Sequence, residues 1–172
     1  MANDRAKTIE ALKMALQMEI DGKTFYLKAA KASGNALGNK LFNTLAKEED
    51  AHRLKFKAIF EAIQAKENWP EVEIEQVAEA ELKTVFAQAP AQLELRSSEM
   101  ADVQIALDME NKTRDFYQAQ AAKASFKIEK DYYQVLAKEE TQHHKALFDY
   151  SEYLKNPADY YTMKERHSLD GG

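Results

Sequence analysis

The sequence has no cysteine, and this absence removes several classes of protein at once. Without thiols the chain has no disulfide framework, no Cys-ligated zinc or iron–sulfur site and no Cys nucleophile. Glycine and proline are scarce, with five and three among 172 residues, which argues against a sheet with many turns. The composition instead favours Ala, Glu, Lys, Leu and Gln, which are strong helix formers. We therefore predict an all-α protein with a single domain over residues 1–172.

Long apolar runs and a basic patch are missing as well. No stretch is long and apolar enough for a signal peptide or a transmembrane helix, so we expect a cytoplasmic protein without a membrane partner. The formal net charge is −5, and the Lys and Arg residues are interspersed with acids along the chain. Proteins that bind phosphate backbones concentrate positive charge on one surface. We therefore expect no nucleic-acid partner.

The most informative feature that is present is an internal repeat with an offset of 91 residues, the difference between positions 19 and 110. Three polar residues of the first half recur in the second half at this offset: Glu19 as Glu110, Glu49 as Glu140, and His52 as His143. The sequence around them repeats too, since Leu-Ala-Lys-Glu-Glu occurs at 45–49 and again at 136–140. The chain is therefore predicted to contain two copies of one helical hairpin.

Helix start and stop signals divide the chain into four long helices and a crossover. The first two helices are predicted from a cap at Asn3 or Asp4 to 33–34, and from 35–38 to about 66. The other two are predicted over about 99–125, after a cap at Ser97 or Ser98, and over about 128–155. Residues 71–98 form the predicted crossover, with a short helix at about 75–88, and residues 156–172 form a C-terminal tail. The predicted fold is a four-helix bundle made of two duplicated hairpins.

The repeated Glu and His residues lie within the apolar stripes of these helices. The stripe of the second helix advances by three or four residues at each step, through Phe42, Leu45, Glu49, His52 and Phe56. The fourth helix repeats this pattern at the 91-residue offset. Four carboxylates and two imidazoles are therefore expected to point into one interior.

A buried set of four carboxylates requires compensating positive charge. Burial is strongly unfavourable unless protons or cations neutralise the acids, and no Lys or Arg occupies the stripes at these levels. Two divalent ions balance four carboxylates, and mixed carboxylate and imidazole ligation favours iron first, with manganese or a mixed pair as alternatives. A single Glu-x-x-His is weak support, because a hydrogen-bonded structural pair has the same spacing. Two copies with identical offsets favour a dinuclear metal site.

At these residues the chain resembles the ferritin-like di-iron carboxylate proteins, in which two helices supply one Glu each and two supply Glu-x-x-His. Over about residues 5–155 it is most similar to a stand-alone rubrerythrin-type domain, judged from the similar halves and from Glu-Glu-x-x-His at 48–52 and 139–143. The resemblance implies a ferritin-like fold and reduction of hydrogen peroxide at two iron ions. It also implies the ligand set: Glu19, Glu49, His52, Glu110, Glu140 and His143, with Glu49 and Glu140 as bridges.

Three departures from related patterns limit what the resemblance implies. Rubrerythrins commonly carry an additional ligand Glu one turn after the third-helix ligand, where this chain has Thr113, and Gly22 occupies the matching position of the first helix. The four-Cys rubredoxin module that often delivers electrons is absent from the sequence, so an external donor such as a rubredoxin-type protein is expected. Bacterioferritins bind haem through a Met that follows the second-helix ligand, where this chain has Asp50, and no haem is expected.

Other functions use the same kind of centre. Two of them are alternatives to peroxide reduction here: a ferroxidase with iron storage and a dioxygen-dependent oxidase. A helix bundle without any redox role is the third alternative. We also expect a homodimer, because the predicted crossover contains apolar and aromatic residues that suit a small symmetric interface: Trp69, Val72, Ile74, Val85 and Phe86.

Four further residues are candidates for a role near the metals. Tyr26 and Tyr117 lie two helical turns beyond Glu19 and Glu110, so each is expected either to hydrogen-bond a ligand carboxylate or bound peroxide as a catalytic group, or to fill the core. Glu48 and Glu139 precede a predicted ligand by one residue and so point about 100° away from it on the helix. They are expected to be solvated or supporting acids.

Overall fold

The computed structural model of the protein describes residues 2–65, 68–70, 82, 85–86 and 98–157. Four long helices account for most of these residues: α1 (Ala2–Ala32), α2 (Ala36–Gln64), α3 (Glu99–Lys123) and α4 (Lys127–Lys155). The predicted all-α four-helix fold is confirmed. The predicted short helix at about 75–88 lies mostly outside the described residues, and the predicted tail does so from residue 158 onward.

The repeat in the sequence corresponds to a repeat of helix boundaries. Helices α2 and α4 begin at Ala36 and Lys127 and end at Gln64 and Lys155, and both pairs differ by the same 91 positions as the repeated residues. Within each half the two helices pack closely against each other, and α1 also contacts α3 across the halves. The chain therefore contains two equivalent hairpins, as predicted.

The helix starts differ in part from the predicted caps. The Asn35 side chain caps α2 by accepting a hydrogen bond from the Gly38 backbone N–H at 2.8 Å. For α3, the predicted cap at Ser98 is wrong, because this residue already has helical backbone angles, φ −86° and ψ −18°, and its side chain makes no capping hydrogen bond. The alternative cap, Ser97, lies outside the described residues. Helix α1 begins at Ala2, ahead of the predicted cap. At α3 the acidic residues Glu99 and Asp102 of the first turn face the positive end of the helix dipole instead.

A buried carboxylate at the start of α3 establishes the direction in which the second hairpin runs. Glu99 is only 2% exposed and accepts hydrogen bonds from Ser33, Asn35 and Tyr150. Ser33 and Asn35 form the turn between α1 and α2, so α3 begins at the end of the bundle where α1 finishes. A Cβ atom at Gly38 would lie 2.1 Å from the Tyr150 hydroxyl, so this cluster requires glycine there. The repeat and the apolar stripes of the sequence do not indicate this role of Glu99.

The apolar core consists of two clusters separated along the bundle axis. The upper cluster lies toward the α1–α2 turn and includes Tyr26, Leu41, Phe42, Leu45, Val103, Leu147, Tyr150 and Tyr153. The lower cluster lies toward the α3–α4 turn and includes Leu12, Phe56, Ile59, Trp69, Tyr117, Tyr132, Tyr133 and Leu136. The predicted metal ligands occupy the level between the two clusters.

Several of the apolar and aromatic residues that were predicted to form a dimer interface pack in this core instead. Trp69, Val85 and Phe86 are at most 8% exposed and pack within the chain, so the prediction that they form a surface for a second copy is wrong. Val72 and Ile74 lie outside the described residues. The homodimer stays a prediction. Within the described ranges, no helix combines the length and the apolar character needed to cross a membrane.

Candidate metal centre

The structure brings all six residues of the predicted ligand set into one buried site. Each of α1 and α3 supplies one residue and each of α2 and α4 supplies a pair at i, i+3, which places both members on one helix face. None of the six is more than 4% exposed: Glu19, Glu49, His52, Glu110, Glu140 and His143. Because every member comes from an apolar stripe, the packing of the four helices is sufficient to assemble the site.

The six residues form two overlapping ligand groups. One group consists of Glu19, Glu49, His52 and Glu140, and the other consists of Glu49, Glu110, Glu140 and His143. Within each group, one potential ligand atom from every residue lies within 4.8 Å of the others. Glu49 and Glu140 belong to both groups. This arrangement can hold two metal ions side by side, with two shared carboxylates and one terminal Glu and one His for each ion.

Several polar atoms of the site are buried without a hydrogen-bond partner among the described residues. They are Glu19 Oε2, His52 Nδ1, Glu110 Oε2 and Glu140 Oε1. His52 Nδ1 lies 3.4 Å from Glu19 Oε2 and 3.7 Å from Glu140 Oε1, so three of the unsatisfied atoms face one another. Buried polar atoms are rarely left unpaired, and a cation satisfies this set of oxygen and nitrogen donors. The residues present therefore fit a pair of metal ions.

Each ligand histidine is held by an acid of the other hairpin. His52 Nε2 lies 2.8 Å from Glu139 Oε2, and His143 Nε2 lies 2.6 Å from Glu48 Oε2. A carboxylate can only accept a hydrogen bond, so Nε2 carries a proton in both rings. In the neutral imidazole this leaves the Nδ1 lone pair directed at the site, where a metal would bind. Glu48 and Glu139 thus orient the ligands.

The two tyrosines also cross between the hairpins. The Tyr26 hydroxyl donates a hydrogen bond to Glu110 Oε1, and the Tyr117 hydroxyl donates one to Glu19 Oε1. Burial and the nearby carboxylates raise the pKa of both phenols well above the usual value, so both remain protonated donors. Tyr26 belongs to the upper cluster and Tyr117 to the lower one. The phenols therefore flank the site along the bundle axis.

The four carboxyl groups separate into two kinds by their proton affinity. Burial and the neighbouring carboxylates raise the pKa of Glu49 and Glu140 well above the usual value. Burial also acts to raise the pKa of Glu19 and Glu110. It is outweighed by the hydrogen bond from Glu49 to Glu19 and by the charge of His143 beside Glu110, so both pKa values are lowered. The two shared residues thus hold protons more strongly than the two terminal ones.

The histidines complete the charge balance of the metal-free site. Burial acts to lower the pKa of His52 and His143, but the charges of Glu19 and Glu110 outweigh it and raise both pKa values well above the usual one. Two imidazolium ions then face two ionised carboxylates, while Glu49 and Glu140 carry protons. Without metal, protons supply the compensation that two divalent cations would otherwise provide.

Gly22 makes room for one of the shared carboxylates. A Cβ atom at this position would lie 3.2 Å from both Cδ and Oε2 of Glu49, which is tighter than ordinary van der Waals contact. A larger residue would push Glu49 away from its place between the two ligand groups. The corresponding residue of the second hairpin is Thr113, which is half-buried and belongs to neither ligand group.

A four-helix bundle whose core carries two single Glu residues and two Glu-x-x-His pairs is a ferritin-like dinuclear carboxylate protein. The Rubrerythrin family model matches residues 10–147, and the chain belongs to the rubrerythrin family, a family of di-iron proteins. The predicted resemblance is therefore confirmed. Comparison with curated proteins and with solved structures gave no match.

Replacing Glu139 with Ala is expected to weaken metal binding by about 10- to 100-fold, because His52 loses the acceptor that orients its ring. The affinity of the metal-free protein for Mn²⁺ can be measured by isothermal titration calorimetry. Glu152→Ala is the matched control, since it removes an exposed acid paired with Lys155 on the same helix. Equal affinities of the two variants for Mn²⁺ would contradict the assigned role of Glu139.

Proposed function

We propose that this protein reduces hydrogen peroxide to water at a dinuclear iron centre held by the six buried ligands. The supporting observation is that Glu49 and Glu140 belong to both ligand groups. These two residues would each contribute to both metal ions, and a pair of adjacent ions would suit cleavage of the O–O bond of one small oxidant. A buried pair of sites also excludes bulk water and larger substrates.

When bound, two ferrous ions would supply the two electrons that reduce one peroxide molecule to two waters. The protein supplies the surroundings for this reaction. His52 and His143 would hold the metals without adding negative charge, and their Nε2–H groups donate hydrogen bonds to Glu139 and Glu48. Tyr26 and Tyr117 are protonated phenols at the two ends of the site. We assign them as the hydrogen-bond or proton donors for bound peroxide.

The reaction requires electrons from outside the chain after each turnover. A small one-electron carrier such as a rubredoxin-type protein is the proposed donor, because the sequence contains no cysteine and so no rubredoxin centre of its own. We also propose a homodimer that acts in the cytoplasm. Size-exclusion chromatography distinguishes this assembly from the hollow shell that iron storage would need.

The proposed function is tested by the choice of oxidant. The protein is loaded anaerobically with two equivalents of Fe²⁺ per chain, and its oxidation by hydrogen peroxide and by dioxygen is followed by stopped-flow absorbance. Oxidation many times faster with peroxide is expected. Faster oxidation by dioxygen would contradict the proposal and favour a ferroxidase or an oxidase. The Glu140→Ala variant is the control, because it removes a shared ligand.

A further inference from the structure

Oxidisable aromatic rings continue from the metal site through the lower cluster. The Tyr117 hydroxyl contacts the ligand Glu19, and the Tyr117 ring stacks on Tyr133 with centroids 5.9 Å apart and an interplanar angle of 30°. The Tyr133 ring lies 5.9 Å from Trp69, which follows the end of α2 beside the exposed residue Asn68. The three rings form a continuous path from a metal ligand toward the edge of the bundle.

Packing does not explain why Tyr133 carries a hydroxyl. This hydroxyl and that of Tyr132 are buried and have no hydrogen-bond partner among the residues that the structure describes. Phenylalanine would fill almost the same space without burying an unsatisfied polar group. In the repeat, the position equivalent to Tyr133 is in fact Phe42. We therefore infer that Tyr133 has a role other than filling the core. Tyrosine differs from phenylalanine chiefly in its polarity and in its ease of oxidation.

The ring contacts of the upper cluster differ from those of the lower cluster. The Tyr26 ring stacks on Phe42 at 6.2 Å, and Phe42 lies 6.0 Å from Tyr150. The ring between the two tyrosines is thus one that biological oxidants do not readily oxidise. An oxidisable path in continuous ring contact leaves the site through Tyr117, whereas among the residues that the structure describes the path from Tyr26 is interrupted at Phe42. This asymmetry arises although the ligands themselves are duplicated.

We propose that Tyr117, Tyr133 and Trp69 form a one-electron relay between the metal centre and the edge of the bundle. The proposal rests on the proposed function, since it concerns peroxide reduction at the same site. Peroxide requires two electrons and two protons to become two waters. If one of the two bound irons were ferrous and the other ferric, the metals would supply one electron and the relay would supply the other.

The electrons and protons of this step balance as follows. Tyr117 gives up one electron, and its phenolic proton passes to Glu19 Oε1, with which it already shares a hydrogen bond. An electron then moves from Trp69 through Tyr133 to Tyr117, and the proton returns from Glu19 to the phenol. The oxidising equivalent now resides on Trp69. A thiol restores the indole by giving up one electron and one proton, which leaves a thiyl radical and completes the supply of two electrons to peroxide. This proton and one from solvent are the two protons that convert peroxide to two waters.

The test uses the single tryptophan of the chain as its reporter. Iron-loaded protein is oxidised, returned one electron per centre, mixed with hydrogen peroxide without external reductant and frozen for electron paramagnetic resonance. Protein with ring-deuterated tryptophan identifies a radical on Trp69 through its altered hyperfine splitting. We expect a Trp69 radical in the wild type and oxidised Trp69 in the matching peptide after longer reaction. In Tyr133→Phe we expect loss of both signals.

Tyr132→Phe is the matched control for this variant. Tyr132 also has an unpaired buried hydroxyl and also contacts Trp69, with centroids 6.0 Å apart. Its ring contacts those of Phe56 and Tyr133 rather than that of Tyr117, so the direct path from Tyr117 through Tyr133 to Trp69 does not need it. The control should retain the Trp69 radical, and neither variant should lower the melting temperature, because each removes only an unsatisfied group. A Trp69 radical of unchanged yield in Tyr133→Phe, or its absence from the wild type, would overturn the relay. Peroxide consumption by the fully reduced protein reports separately on the proposed function.

Discussion

Replacing Glu140 with Ala is expected to abolish binding of both metal ions, whereas Glu110→Ala is expected to leave one ion bound. Glu140 belongs to both ligand groups, so its removal takes a carboxylate from each ion. Glu110 belongs to only one group, and the other group keeps Glu19, Glu49, His52 and Glu140. The number of bound ions is measured by equilibrium dialysis against Fe²⁺ under anaerobic conditions, followed by elemental analysis of the protein.

The repeat provides matched variants for this experiment. Glu49→Ala should behave like Glu140→Ala, and Glu19→Ala should behave like Glu110→Ala, since the residues of each pair occupy equivalent positions. Glu49 and Glu140 carry protons in the metal-free site, so removing either of them leaves no unpaired charge. When Glu19 or Glu110 is removed, the facing histidine can release its proton, so the metal-free variants are expected to stay folded. Circular dichroism of the metal-free proteins checks this point. Retention of both ions by Glu140→Ala, or loss of both by Glu110→Ala, would contradict the assignment of shared and terminal ligands.

The sequence was sufficient to predict which residues share the interior, because helical periodicity determines which face of a helix each side chain occupies. Glu49 and His52 are one turn apart within an apolar stripe, so burial of that stripe places both in the core. The offset of 91 residues then implied the same for Glu140 and His143. Helix boundaries were predicted to within about two residues for the same reason, since α2 and α4 carry long periodic patterns.

The pairings across the bundle could not be predicted from periodicity. Tyr26 was expected to lie near the carboxylates, but its hydroxyl binds Glu110 of the other hairpin and not Glu19 of its own helix. Likewise Glu139 holds His52 rather than a residue of α4. These contacts depend on how the two hairpins are oriented relative to each other. The periodic pattern of a single helix contains no information on that orientation.

Glu99 shows how the two hairpins are oriented, and its role could not be predicted from the sequence either. Its carboxylate joins the start of α3 to the α1–α2 turn, which establishes that α3 runs antiparallel to α1. The repeat gives no hint of it, because the equivalent position of the first hairpin is Thr8 and the partner Tyr150 corresponds to Ile59. Similarly, the asymmetry between Tyr133 and Phe42 becomes informative only once the ring contacts are known.

The stabilisation of the folded protein by bound metal is expected to increase from about pH 6 to about pH 8. Four groups of the metal-free site have a raised pKa: Glu49, Glu140, His52 and His143. In the unfolded chain the pKa values are 4.5 for Glu and 6.5 for His, and below these values the four groups contribute fully to the stability of the folded protein. This contribution is lost as pH rises through the raised pKa values of the folded protein. Glu19 and Glu110 have lowered pKa values, so their contribution is lost only as pH falls below about 4.5.

Bound metal ions offset this loss of stability at higher pH, because they take the place of the protons. Binding requires ionised carboxylates and neutral Nδ1 atoms, so the two shared carboxyl groups and the two imidazolium ions release their protons when the site fills. For each proton that one metal ion displaces, the affinity of the protein for that ion rises about tenfold per pH unit. At a fixed excess of metal, each tenfold rise in affinity adds about 1.4 kcal/mol to the free energy of unfolding. Thermal unfolding with Mn²⁺ and with a chelator across this pH range measures the gain.

The Glu140→Ala variant separates this effect from a general dependence of stability on pH. It lacks a shared ligand, so Mn²⁺ is expected to give it little stabilisation at any pH, while its exposed groups titrate as in the wild type. A gain in the wild type that did not change with pH would show that the ligands are already ionised before metal binds. In that case the buried charges of Glu49 and Glu140 would have to be balanced by groups other than bound protons and divalent cations. Proton release, measured by calorimetry in two buffers of different ionisation enthalpy, tests the same exchange directly and should accompany metal binding in the wild type.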